Sequence, residues 1–300
     1  MPLMPVTDSD VPVESGTLFI VATPIGNLAD ITLRALDVLR AVSLIAAEDT
    51  RHTRKLLSYY DIHKPLVSYH SHNIRKRGPE LLEKITTGTS VALVTDAGTP
   101  AISDPGALLV QQALERNLPV AVIPGPAALI SALVASGLPT HPFAFLGFPP
   151  ARGSTRKQFF SAHANLPMTL ILYESPQRLA RTLNDMLRFW GDRRIAIARE
   201  LTKKFEEFFR GTITEAITRY AEGTRGELTL VVDGFKEGQA GGVEEESWQE
   251  ALAFLLEDPD RTLKEATADI VRRHRLPRRL VYQTALAMRD AEHSMPDSKS

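Results

Sequence analysis

Apolar and polar positions alternate along this chain in a pattern that runs once, breaks, and starts again. Short apolar runs at Thr17–Ala22, Leu44–Ala47, Val91–Thr95 and Val120–Ile123 are separated by stretches of helical period. Those stretches are Leu33–Ala41, Thr53–Tyr60, Pro79–Thr86, Ala107–Arg116 and Ala127–Ser136. Strands alternating with helices of ~10 residues predict a mostly parallel sheet covered on both faces. After the break at Gly137-Leu-Pro-Thr-His-Pro142, strands are expected at Phe143–Leu146, Thr169–Tyr173, Ile195–Ala198 and Leu228–Val232. Helices are expected at Thr155–His163, Pro176–Trp190 and Thr212–Tyr220.

From Lys236 to Gly242 the chain turns glycine-rich and polar, which reads as a linker. Three helical patterns follow at Ser247–Leu256, Thr262–His274 and Arg278–Arg289, and Thr262-Leu-Lys-Glu265 fits a capping box. Short helix, turn and basic helix outline a helix-turn-helix, although helical hairpins are common. The expected class is α/β. A disordered segment 1–16 precedes an α/β domain 17–138, a second α/β domain 139–235, a linker 236–246 and a small basic helical domain 247–290.

Composition narrows this picture only a little. Three hundred residues exceed what one core usually holds, and 43% apolar with 24% charged residues is ordinary for a soluble globular protein. With no cysteine there can be no disulfide or thiolate metal site. No apolar run reaches the ~18 residues of a membrane span. The first ten residues lack a basic n-region and an apolar h-region, so a cytoplasmic protein is expected. The charge distribution says more than the net charge of −1. Residues 237–260 hold eight acids and no Lys or Arg, whereas 261–289 hold eight basic residues against Glu265 and Asp269. Residues 51–77 hold seven basic residues, four histidines and only Asp61 as an acid. Two basic patches suggest a polyanionic partner, and solvated helix faces are the alternative for either patch alone.

The candidate chemistry lies at strand exits. Val91-Ala-Leu-Val-Thr-Asp-Ala-Gly-Thr-Pro-Ala-Ile-Ser-Asp-Pro-Gly106 leaves a buried-type strand with Asp96, Thr99, Ser103 and Asp104 in its loop. Ligands of open α/β sheets bind just past such strand ends; the plainer reading is a strand–loop–helix connection capped by Asp104. Ala22-Thr-Pro-Ile-Gly-Asn27 can turn sharply and present amides to an anion or carboxylate. Pro124-Gly-Pro-Ala-Ala128 is rigid and small, which suits a flat ligand. Glu48-Asp-Thr-Arg-His-Thr-Arg-Lys55 pairs acids that can cap a helix with cations that can position phosphates, and His52 can titrate near neutral pH. Arg199, Glu200, Lys203 and Glu206 can serve in phosphate positioning and proton transfer, or form a surface ion-pair network. His70 and His72 have no further ligands at a metal-binding spacing, so no metal is expected. G-x-G-x-x-G, G-x-x-x-x-G-K-[ST] and G-x-S-x-G are all absent.

Eight segments in register carry a resemblance. They are Ala22–Asp30, Glu48–Arg51, Val94–Gly106, Pro124–Ala127, Phe145–Pro149, Tyr173–Pro176, Ala198–Lys203 and Gly226–Val232. Together they resemble the tetrapyrrole methylase superfamily, and within it the bacterial 16S ribosomal RNA cytidine 2′-O-methyltransferases. The resemblance implies two α/β domains with S-adenosyl-L-methionine in the cleft between them, a small helical C-terminal extension, and a homodimer acting on 16S rRNA of the 30S subunit. It implies cofactor contacts from Pro24, Gly26, Asp96, Gly98, Thr99, Ile102, Ala127, Ala128 and Tyr173. Relatives that modify tetrapyrroles often carry Gly-Asp-Pro where this chain has Gly98-Thr99-Pro100, so Thr99 cannot act as that Asp does.

Methyl transfer to a ribose hydroxyl needs in-line placement and a proton acceptor or orienter, for which Glu200, Lys203 and Asp49 are candidates. Arg51, Arg54, Lys55, Arg75, Lys76, Arg77, Arg272, Arg273, Arg278 and Arg279 would track an RNA backbone. The alternatives are a methyltransferase of small tetrapyrroles and a non-enzymatic RNA-binding ribosome assembly factor.

Overall fold

The computed structural model describes residues 14–236, 248–256, 262–274 and 276–293. Residues 1–13 of the expected disordered segment, and 237–246 of the expected linker, lie outside the described residues. Strands β1 (Leu18–Val21), β2 (Leu44–Ala47), β3 (Leu66–Ser68), β4 (Val91–Val94) and β5 (Val120–Ile123) form a parallel sheet in the order β3-β2-β4-β1-β5. β1, β2 and β4 are buried at every residue, as their unbroken apolar runs require of strands covered on both faces. Helices α1 (Leu33–Ala41) and α2 (Thr50–Tyr59) put Leu36, Val38, Leu39 and Leu57 against Phe19, Val21 and Ile45 on one face. On the other face, α3 (Ile74–Thr86) and α4 (Gly106–Glu115) put Leu81, Leu82, Ile85 and Leu109 against Leu18, Ala46 and Leu93.

This order has a consequence for ligands. Neighbouring strands β1 and β4 send the chain to opposite faces, into α1 and α4 respectively. Open α/β sheets bind ligands at the carboxyl ends of strands whose connections part in this way.

The second sheet contains β6 (Phe143–Phe145), β7 (Thr169–Glu174), β8 (Arg194–Arg199), β9 (Glu207–Thr212) and β10 (Leu228–Val232), in the order β6-β7-β10-β8-β9. Only β6 and β7 are parallel neighbours. Its outer face carries α6 (Gly153–His163), α7 (Leu179–Trp190) and α8 (Ile213–Arg219) around Phe160, Leu183, Met186 and Trp190. Its inner face is covered by α5 (Ala128–Ser136), whose Ala132 and Leu133 meet Ile171, Ala196 and Val231. Ile25, from the loop after β1, joins this same cluster. The two halves of the chain thus share one apolar core.

Two strands, β3 and β9, escape the hydrophobic pattern. Both are sheet edges, and none of their residues is fully buried, so neither needs an apolar run. Two helices begin earlier than proline and apolar spacing suggest: α2 starts at Thr50 because Asp49 accepts from the Arg51 amide, and α3 runs through Pro79. The last three helices, α9 (Trp248–Leu256), α10 (Leu263–His274) and α11 (Arg278–His293), pack around Leu252, Ile270, Val281 and Ala285. The capping box is present, with the Thr262 amide donating to Glu265 Oε2 at 2.9 Å and the Glu265 amide to Thr262 Oγ1 at 3.3 Å.

Leu133 is 2% exposed between α5 and the second sheet. Leu133→Ala is expected to destabilise the protein by about 2–5 kcal/mol in urea unfolding. Leu33→Ala, at a side chain 73% exposed, is expected to change stability by less than about 0.5 kcal/mol.

Candidate functional site

The exits of β1 and β4 are zipped together. The Thr23 amide donates to the Gly98 carbonyl at 2.9 Å, the Gly98 amide returns a bond to the Thr23 carbonyl at 3.0 Å, and Thr23 Oγ1 donates to the Thr95 carbonyl at 3.1 Å. Glycine is needed at 98, where φ is +82° and a Cβ would come 3.3 Å from Ile25 Cγ2. The bridge splits the loop after β4 into two limbs. Asp96 lies before it and Thr99 to Asp104 after it.

The first limb borders a cleft of about 420 Å³ between the two halves of the chain. Pro24, Gly26, His52, Lys55 and Asp96 line it from the first half, and Lys203 and Glu227 from the second. Asp96 Oδ1 accepts from the Asp49 amide at 3.0 Å. Burial raises the Asp96 carboxyl from its ordinary value, against the pull of that amide. Asp49 itself is spent on its own helix. It accepts from the Arg51 amide at 2.8 Å and pairs with the Arg51 guanidinium at 2.7 Å, which holds its carboxyl well below the usual range.

Lys203 Nζ donates to Glu200 Oε1 at 2.8 Å and to Glu227 Oε2 at 3.1 Å. Burial pushes the Lys203 ammonium toward neutrality, yet the two carboxylates outweigh it and leave its pKa raised. Its hydrogen bond to Lys203 keeps Glu200 ionised, with its pKa lowered. Glu200 and Thr202 both have positive φ, +52° and +65°, and the turn they form abuts the loop after β1. The Asn27 amide donates to Thr202 Oγ1 at 3.0 Å, and a Cβ on Gly26 would come 2.9 Å from the Leu201 carbonyl oxygen. Gly26 is therefore a point of close approach between the halves as well as part of the cleft lining.

The second limb faces a wall with little charge. Thr99 Oγ1 donates to the Pro126 carbonyl at 3.2 Å, tying the loop to the turn that carries Ala127 and Ala128. Ala101 and Ser103 have φ of +72° and +63°, and Ile102 is 42% exposed. Asp104 organises this strained turn. Its Oδ1 accepts from the Gly106 amide at 2.7 Å, and burial raises its pKa against the pull of the Gly106, Ala101 and Ile102 amides. A Cβ on Gly147 would lie 3.5 Å from Ser103 Oγ, and the Tyr173 amide donates to the Gly147 carbonyl at 3.0 Å. The Tyr173 ring sits 4.9 Å from Phe145 and 5.6 Å from Phe148. Beneath it, buried Glu174 pairs with Arg178, while Arg178 and Arg156 donate to the Pro149 and Pro150 carbonyls.

The sequence-selected residues are thus gathered in two places. Pro24, Gly26, Asp96 and Lys203 meet in the cleft, with Asp49 and Glu200 directly behind them. Thr99 and Ile102 lie on the loop beyond the Thr23–Gly98 bridge, with Ala127 and Ala128 at the start of α5, just after the Pro126 carbonyl that Thr99 contacts. Tyr173 lies in β7, where its amide meets Gly147. Glu227, Gly147 and Phe148 carry no individual signal in the sequence beyond their places in the segments Gly226–Val232 and Phe145–Pro149. Glu227 stands just before a buried strand and gains its place only when Lys203 folds against it. Of the basic residues, Arg51 pairs with Asp49, and Arg77 with Glu80 at 2.7 Å. Arg54, Lys55, Arg75 and Lys76 are exposed. They lie on α2 and α3, which follow neighbouring parallel strands β2 and β3 and pack on opposite faces of the sheet. In the C-terminal helices Arg272 pairs with Asp269, Arg278 and Arg279 are exposed, and the Arg273 side chain lies outside the described residues.

The sequence profile of the Tetrapyrrole (Corrin/Porphyrin) Methylases matches residues 17–217. The chain is 46% identical to "Ribosomal RNA small subunit methyltransferase I" of Synechocystis sp. over 91% of its length and 98% of the relative's. Proteins of the same name are 47% identical in Bacillus subtilis, covering 80% of this chain and 82% of that one, and 43% identical in Vibrio cholerae, covering 92% and 96%. Among solved structures, uroporphyrin-III-C-methyltransferase from Thermus thermophilus aligns with a TM-score of 0.52 at 21% identity, over 77% of this chain and 98% of that one. A diphthine synthase aligns with a TM-score of 0.58 at 13% identity, over 72% and 89%. These two share the fold. With the profile match over most of its described α/β core and relatives of this identity along nearly its whole length, the chain belongs to the tetrapyrrole methylase family.

Proposed function

We propose that this protein is an S-adenosyl-L-methionine-dependent methyltransferase that modifies the ribose 2′-hydroxyl of a cytidine in 16S rRNA. The observation that carries the reading is the division of the site by the Thr23–Gly98 bridge. On one side is a cleft with fixed charges, lined by exposed His52 and Lys55, the latter on a helix that also carries exposed Arg54. Such a cleft suits an unpaired nucleotide splayed from an RNA strand whose phosphates meet the basic helices. On the other side are Gly98, small Ala127 and Ala128, and the Tyr173–Phe148 pair, which fit a thin, partly aromatic ligand such as S-adenosyl-L-methionine. When bound there, that ligand supplies an electrophilic methyl group. The chain's own residues orient the two reactants, exclude water and hold the charges of Lys203, Glu200 and Glu227.

The names of the relatives support the small ribosomal subunit as substrate. Work on ribosomal subunits implies a cytoplasmic setting, and no helix among the described residues is long and apolar enough to cross a membrane. Exposed Val122 on edge strand β5, with Ile130 and Val134 on α5, supports a homodimer.

Transfer of tritium from labelled S-adenosyl-L-methionine tests the whole reading. Label is expected in 16S rRNA at a ribose, and label in uroporphyrinogen but none in RNA would overturn it. Thr99→Val, which removes the bond to the Pro126 carbonyl, is expected to weaken S-adenosyl-L-methionine binding by roughly two- to tenfold in calorimetry. Replacing Arg54, Lys55, Arg75 and Lys76 with Ala is expected to leave that affinity intact. It should reduce the slope of log affinity for RNA against log salt by up to roughly 3. Sedimentation of a Val122→Asp, Val134→Asp variant is expected to show monomers where the parent chain is dimeric.

A further inference from the structure

We propose that Asp96 is the catalytic base, receiving the proton of the ribose 2′-hydroxyl on its Oδ2 atom. This rests on the ribose-methylation reading above and assigns the proton transfer within it. Asp96 lines the cleft read above as the nucleotide's and lies two residues before the bridge, on the limb that leads to the side read as the methyl donor's. Oδ1 is anchored by the Asp49 amide at 3.0 Å, and Oδ2 has no hydrogen-bond partner among the described residues. One oxygen fixes the side chain while the other is left for a substrate hydroxyl.

The other groups at the site are poorly suited to this task. Lys203 is held as an ammonium by two carboxylates and has no lone pair to offer. Glu200 is engaged by Lys203 and by the Glu227 amide at 2.9 Å, and Asp49 by Arg51. Each is held in its ionised form by cationic or amide donors, which weakens it as a proton acceptor. Burial acts on Asp96 in the opposite direction and makes it the stronger base. Its charged surroundings are Glu48, Asp49, Arg51 and His52 on the segment after β2, together with Lys203 and Glu227 across the cleft.

The step balances without a further reactant. The O2′–H bond breaks and its proton passes to Asp96 Oδ2, while O2′ bonds to the methyl carbon. The electron pair of the broken carbon–sulfur bond stays on sulfur as a neutral thioether, and Asp96 returns the proton to water.

Asp96→Asn keeps the shape and leaves an amide oxygen for the Asp49 amide. The variant is expected to lose roughly 10²–10⁴-fold in kcat while its affinities for S-adenosyl-L-methionine and 30S subunits change by less than about tenfold. In the parent enzyme log kcat should rise with pH through the raised pKa of this carboxyl and then level off, because the carboxylate is the active form. That limb should be missing from the variant. A variant with kcat near the parent's, or one that loses cofactor affinity in step with turnover, would overturn the assignment. The pH profile of the unaltered protein needs no substitution, and a flat profile through the acid limb with chemistry rate-limiting would also overturn it. Mapping the methyl group in the parent's product separates the two levels. A base-methylated nucleotide refutes the ribose reading itself, whereas ribose methylation by an active Asp96→Asn variant refutes the Asp96 assignment alone.

Discussion

Two backbone hydrogen bonds between Thr23 and Gly98 organise this molecule's site. Parallel strands β1 and β4 diverge to opposite faces of the sheet, so their exit loops should part company. Instead the loops are held together for one more residue pair past the sheet, with Thr23 buried to 3% exposure. Everything beyond depends on this extension. It turns Ile25 down into the core of the second half, and it makes the loop after β4 a partition rather than the rim of one open crevice.

The shared core explains how the partition is held in place. Ile25 and α5 come from the first half of the chain, yet both pack on the inner face of the second sheet. The turn at Glu200–Lys203 leans back against Gly26 and Asn27 from that sheet. The loops that build the cleft are therefore fixed to the core at both ends, at the cost of positive φ at Ala101, Ser103, Glu200 and Thr202. Such strain persists only where surrounding bonds over-determine the backbone. Here the Asp104 carboxylate serves one turn, while the Glu206 carboxylate, accepting from the Thr202 amide at 2.6 Å, serves the other.

The electrostatics follow from how each charge is partnered. Arg51 and Asp49 satisfy each other at the surface, which removes both from the chemistry of the cleft. Lys203 lies between Glu200 and Glu227 as a permanent cation. Asp96 receives one amide and no cation through its carboxylate oxygens, so burial dominates its behaviour. Similar residue types thus take different roles because of their donors and depth.

Much of this was legible in the sequence. The buried parallel strands had to be unbroken apolar runs, since both of their faces are covered, and the glycines and prolines after them could only be turns. The segregation of basic residues at 51–77, the capping box at Thr262 and the restart after Pro142 are likewise local facts. Edge strands β3 and β9 were not legible, because a strand with no fully buried residue needs no apolar signature. Nor could the chain order show that α5 packs on the second sheet, that Glu227 reaches Lys203, or that Asp49 is spent as a helix cap while Asp96 keeps an oxygen free. Propensity and pattern act over a few neighbouring residues, so the sequence alone determined the elements and the pool of chemical groups. Burial and hydrogen-bond partners come from residues distant in the chain, and only the tertiary structure decided which of those groups bear on a substrate.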